Sequence, residues 1–141
     1  MAKFVFRLHK VKHVRIIQET IQKQKWAEAN RALLLAQQRL TALQQERTDI
    51  ITYCHSQADW SVRPLAYLYV AKLDRMIARQ IERVHEAAIA EAAARQEWIR
   101  ARNEKEKLER LEARHYEEHM YEELRKEQRI LDDMKNHLGR I

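Results

Sequence analysis

The sequence predicts an all-α protein: two long helices forming an antiparallel coiled-coil hairpin with a C-terminal helical overhang. Three observations carry this. The 141 residues include one Gly and one Pro, and a chain so poor in turn-formers has few places to reverse direction. Charged residues make up 34% and aromatics only 7%, the balance of long solvated helices rather than of a broad globular core. Apolar residues recur at steps of three and four over most of the length, with the main break near the single proline, Pro64.

The whole chain reads as one coiled-coil domain, with helix 1 over about 10–57, a turn over about 58–64 and helix 2 over about 65–138. In helix 1 the stripe Trp26, Ala29, Leu33, Ala36, Leu40, Leu43, Arg47, Ile50 and Cys54 follows the heptad template. Upstream, Leu8, Val11, Val14, Ile17 and Ile21 form a second stripe. The five-residue step from Ile21 to Trp26 puts the two stripes out of phase, which predicts a stutter in the supercoil. The break SQADWSVRP contains Asp59 and Ser61 as candidate N-caps, with Pro64 in a first helical turn, where its missing N–H is harmless. Gly139 stands where a C-terminal cap glycine belongs.

Two long helices joined by a short turn fold back on each other. Large residues meet large ones, and small meet small, if facing residue numbers sum to about 124. Trp26 then faces Trp98, Ala36 faces Ala88, Leu40 faces Val84, Leu43 faces Ile81, Val14 faces Leu111, Ile17 faces Leu108 and Leu8 faces Tyr116. Residues beyond about 118 are left without an internal partner, an overhang of roughly 30 Å at ~1.5 Å per residue. It still carries the stripe Met120, Leu124, Leu131, Met134 and Leu138, which suits burial by another protein. Near the turn, Tyr69, Leu73, Met76 and Gln80 step by four, three and four along one face of helix 2. That face is a candidate for partner binding or for closing the tip.

The segment HYEEH, residues 115–119, fits the H-x-x-E-H pattern of some zinc proteases. A catalytic zinc needs a third ligand, an open position and a walled cavity, and a thin pair of helices offers none of them. The expectation is a solvated, charged helix face, with no metal and no cofactor. No Gly-rich phosphate loop, nucleophile elbow or Cys pair occurs, so no enzyme activity is expected. The single Cys54 excludes an internal disulfide and reads as a seam residue in a reducing compartment. No apolar run is long enough to span a membrane, and the N-terminus lacks the apolar core of a secretory signal. Net charge is +6, and it is concentrated in a basic head formed by Lys3, Arg7, Lys10, Lys12, Arg15, Lys23 and Lys25. Such a head suits an acidic protein surface, anionic lipid or nucleic acid. A nucleic-acid-binding helical hairpin is therefore one alternative, although the acidic balance of the remaining helices opposes long contact with a duplex. A self-associating structural coiled coil is another.

The opening MAKFVFRLHKVKHVRI, with Phe4, Phe6, Arg7 and Leu8 in an aromatic–basic alternation, resembles the start of the flagellar export protein FliJ family. The stretch LAYLYVAKLDRMIARQIERVHEA resembles the start of that family's second helix. ARNEKEKLERLEARHYEEHMYEELRKEQRILDDM resembles its C-terminal region, so the likeness covers nearly the whole chain. The resemblance implies a stalk-like component of the bacterial flagellar type III export apparatus. It would be cytoplasmic and peripherally associated with the inner face of the cell membrane at the flagellar base. The implied partners are the hexameric export ATPase, the cytoplasmic domain of the export gate and export chaperones, with no nucleic acid. The equivalent stalk of a virulence type III secretion system is a relative in architecture. On this reading Phe4, Phe6, Arg7, Met120, Leu124, Leu131 and Met134 are candidates for gripping the ATPase ring. Tyr69, Leu73, Met76 and Gln80 are candidates for reaching the gate.

Overall fold

The computed structural model describes residues 2–57 and 59–140. Two long helices, α1 (His9–Ser56) and α2 (Arg63–Leu138), pack against each other as a helical hairpin. No strand occurs among the described residues. A single 3₁₀ turn, Trp60–Val62, precedes α2. Asp59 caps it, its carboxylate accepting the Ser61 backbone N–H at 2.9 Å. Pro64 falls at the second residue of α2, where no intrahelical donor is needed. The expected turn region includes Ala58, which lies outside the described residues. Gly139 follows the end of α2 and its N–H bonds the Lys135 carbonyl at 2.9 Å. Gly139 thus follows the helix end as the sequence predicts, without adopting the left-handed conformation.

The chain divides into two compact units, residues 21–98 and residues 1–20 with 99–141. In the first, every member of the predicted stripe from Trp26 to Cys54 is buried or half-buried. The facing stripe on α2 is Ala66, Val70, Leu73, Ile77, Gln80, Val84, Ala87, Glu91, Ala94 and Trp98, likewise buried or half-buried throughout. Both follow unbroken three–four spacing, as knobs-into-holes packing requires. Trp26 stacks on Trp98 with ring centroids 4.9 Å apart and an interplanar angle of 12°, in the register the sequence predicts. Leu43, Cys54 and Leu73 are the most deeply buried apolar residues. Gln80 takes the seam position expected of Ile81 and donates to the Ala36 carbonyl at 2.9 Å, while Ile81 is exposed.

In the second unit the sequence expectation needs correction. The seam there is not formed by Val11, Val14 and Ile17, which are 43–50% exposed. Lys12, Arg15 and Glu19 are half-buried in their place. These positions continue the Trp26–Cys54 phase backwards without a slip, so the predicted stutter is absent. The physical reason is charge complementarity. Lys12 pairs with Glu112, and Lys105 lies 3.8 Å from Glu19, both at the same register as the tryptophan stack. On α2 the corresponding seam is Ala101, Lys105, Leu108, Glu112, His115 and His119, all half-buried.

Candidate functional site

The larger concavities among the described residues are open faces of helices. No group of three or more His, Cys, Asp or Glu side chains gathers there to hold a metal. Three surfaces remain as candidates: the N-terminal arm with its docking site, the C-terminal end of α2, and the region around the turn.

The arm, residues 2–6, is non-helical and lies along α2. Phe6 is buried, its ring 5.8 Å from that of His115 at 63°. Phe4 is half-buried, packing edge-on against Tyr116 at 5.3 Å and tilted against His119 at 5.5 Å. The Ala2 carbonyl and His119 Nε2 are 3.2 Å apart, a hydrogen bond if that nitrogen carries the proton. The two histidines of HYEEH are thus the last seam residues on α2, with the phenylalanines of the arm closing over them. Seam spacing accounts for their separation of four, and the F-x-F alternation upstream is the sequence signal of their role. Arg7 is exposed in the turn leading into α1, where the His9 N–H reaches back to the Phe6 carbonyl at 3.2 Å.

At the C-terminal end of α2, Met120 is half-buried, while Leu124, Leu131 and Met134 are exposed together with Ile130 and Leu138. Glu123 is paired with Lys126 at 3.5 Å. The basic head is partly neutralised by the Lys12–Glu112 pair, and Arg15 Nη1 donates to the Gln18 amide oxygen at 3.1 Å.

Around the turn, the four gate candidates do not share one environment. Leu73 is 1% exposed and Gln80 is buried, both within the seam. Met76 is half-buried at its flank, and Tyr69 is exposed. The Tyr69 hydroxyl donates to Glu46 at 2.5 Å, and this hydrogen bond to a carboxylate holds its pKa above the usual value of 10.0. Arg47 Nε donates to Asp74 at 2.5 Å across the seam. A surface groove of about 170 Å³ lies between Leu43, Met76 and Gln80 and is rimmed by Arg39, Arg79 and Arg83. Closer to the turn, Trp60, Leu65, Tyr67 and Leu68 are 56–71% exposed, and the Arg63 guanidinium sits 3.7 Å above the Trp60 ring. The sequence reading did not single out Trp60.

The family model described as Flagellar FliJ protein matches residues 4–140. The chain belongs to the FliJ family. That membership implies a component of flagellar protein export. Comparison with curated proteins and with solved structures gave no match. No helix among the described residues is long and apolar enough to cross a membrane.

Proposed function

We propose that this FliJ-family chain is a non-catalytic, stalk-like linker in the flagellar export apparatus. It joins the hexameric export ATPase to the cytoplasmic domain of the export gate, at the cytoplasmic face of the membrane, and also meets export chaperones. The observation that carries the reading is the uncovered apolar stripe on the C-terminal turns of α2. Its residues step as a seam steps, yet the chain's own α1 does not cover them. Leu124, Leu131 and Met134, with Met120 at the start of the stripe and Arg7 in the same unit, form the ATPase contact. Phe4 and Phe6 support it by fixing the arm against α2. The gate contact is formed by Tyr69 and Met76 on the surface, positioned by Leu73 and Gln80 in the seam. The arginine-rimmed groove beside Met76 favours an acidic partner surface there. Events at one contact reach the other through two continuous helices, so the action is mechanical and allosteric.

The test is a titration of this chain into the flagellar export ATPase, following both binding and ATP turnover. The reading expects stimulated hydrolysis, and loss of binding in Leu124→Asp/Leu131→Asp with helicity retained. Tyr69→Ala/Met76→Ala should weaken gate binding alone. Absence of ATPase binding by the unaltered chain at physiological salt would overturn the proposal.

A further inference from the structure

The uncovered stripe at the end of α2 has a geometry of its own. The hairpin seam on α2 ends with Glu112, His115 and His119. Its next positions would be Glu122, Lys126, Arg129 and Asp133, every one of them polar. The apolar residues Met120, Leu124, Leu131, Met134 and Leu138 instead lie about 150° around the helix from that continuation, taking 3.5 residues per turn of seam. They are not a frayed end of the hairpin seam. They form a second seam facing elsewhere, and Leu124, Leu131, Met134 and Leu138 are 54–68% exposed.

We propose that this second seam pairs with the same seam of a second copy of the chain, in antiparallel orientation. The residue that decides the orientation is Glu127, which fills the one position of the three–four pattern not held by an apolar side chain. In a parallel pair, Glu127 would face its own counterpart, setting two carboxylates against each other in the middle of the seam. In an antiparallel pair it faces Leu131 of the second copy. Met120 then meets Leu138, Leu124 meets Met134, Tyr121 lies beside Lys135, and Ile130 meets itself at the two-fold axis. Residues 120–140 hold five acidic and five basic side chains, so no net charge opposes the approach. The paired length is about 28 Å at ~1.5 Å per residue, and a polar residue at a seam position sets orientation at the expense of strength. The pair is therefore weak and reversible. Because it uses the face assigned above to the ATPase, self-pairing and ATPase binding exclude each other. That exclusion rests on the proposed function; the pairing itself does not.

The test uses the full chain alone, in a Cys54→Ser background, so its outcome is independent of ATPase binding. Sedimentation equilibrium up to about 0.5 mM is expected to show reversible dimerisation. Leu131→Asp should weaken it at least tenfold and Glu127→Leu should tighten it at least tenfold, with circular dichroism confirming retained helix in both. Mild oxidation should couple Tyr121→Cys chains to Lys135→Cys chains when the two are mixed, and Ile130→Cys chains to themselves. Tyr121→Cys alone and Lys135→Cys alone should stay uncoupled. A monomer at every concentration, a dimer indifferent to Leu131→Asp, or self-coupling by Tyr121→Cys alone and Lys135→Cys alone would each overturn the proposal.

Discussion

Leu73 is the sharpest test of how the seam near the turn divides packing from binding. Its side chain is 1% exposed, whereas Met76, one helical turn further along, is half-buried. Leu73→Ala removes three buried carbons at ~0.8 kcal/mol each, about 2.4 kcal/mol of transfer free energy. A cavity increment is added where the surroundings cannot collapse. The seam is flanked by solvent on both sides, which lets the helices close partly over the gap, so the total should be about 2.5–3 kcal/mol, towards the low end of buried Leu→Ala changes. Met76→Ala loses a partly exposed chain and should cost about 1 kcal/mol. Urea unfolding followed by circular dichroism would give both values from shifts in midpoint at constant slope. Destabilisation below about 1 kcal/mol for Leu73→Ala would refute the burial argument. So would a Leu73→Ala protein of unchanged stability that no longer binds the gate, because Leu73 would then act by touching the partner.

Three further outcomes follow from the same contacts. Phe4→Ala/Phe6→Ala should free the arm; full burial of one Phe is worth about 1.5–3 kcal/mol, so tryptic cleavage after Lys3 and Arg7 should quicken at least tenfold, and an unchanged rate would mean the arm is not held by these rings. The Tyr69–Glu46 hydrogen bond favours the neutral phenol, so its stabilisation is fully present below about pH 10 and is lost as pH rises through the elevated folded value. An ultraviolet titration should show a late tyrosine ionisation that Glu46→Gln moves to lower pH, and identical curves for the two proteins would rule this out. Amide exchange should be at least tenfold faster over residues 9–22 of α1 than over 40–54, because polar side chains fill the first seam segment and all but Arg47 of the second are apolar; uniform protection would refute the assignment.

The apolar half of the fold was readable because seam position and hydrophobicity coincide there. Trp26, Leu33, Leu40 and Leu43 mark both at once, and the Trp26–Trp98 stack follows from matching large with large. The stretch before Trp26 misled for the same reason: Val11, Val14 and Ile17 attract the eye, while the seam residues are Lys12, Arg15 and Glu19. The overlooked signal was charge. Lys12 with Glu112 and Glu19 with Lys105 are opposite charges at the very offset that pairs the tryptophans. The tip candidates show a related limit. Tyr69 and Met76 are seven residues apart, and so are Leu73 and Gln80, yet the first pair lies at the flank and the second in the seam. A run of four–three–four steps cannot say which of two adjacent heptad phases faces the neighbouring helix.

An ionic seam with aliphatic residues turned outward is a poor arrangement for a hairpin that has only itself to hold together. Half-exposed pairs such as Lys12 with Glu112 add little to stability, and the same chain could have placed Val11, Val14 and Ile17 inward by a shift of phase. Charge complementarity does, however, fix register, since each slip brings like charges together or leaves a partly buried charge unpaired. Residues 1–20 and 99–141 therefore keep a defined pairing while presenting aliphatic side chains on α1 and a separate apolar seam on α2. Both surfaces have the spacing of helix-packing faces, and both are substantially exposed. Low cohesion inside and apolar helical faces outside are what a segment needs if its packing is to be completed by other proteins. That is the physical sense in which the linking role proposed above suits this member of the FliJ family.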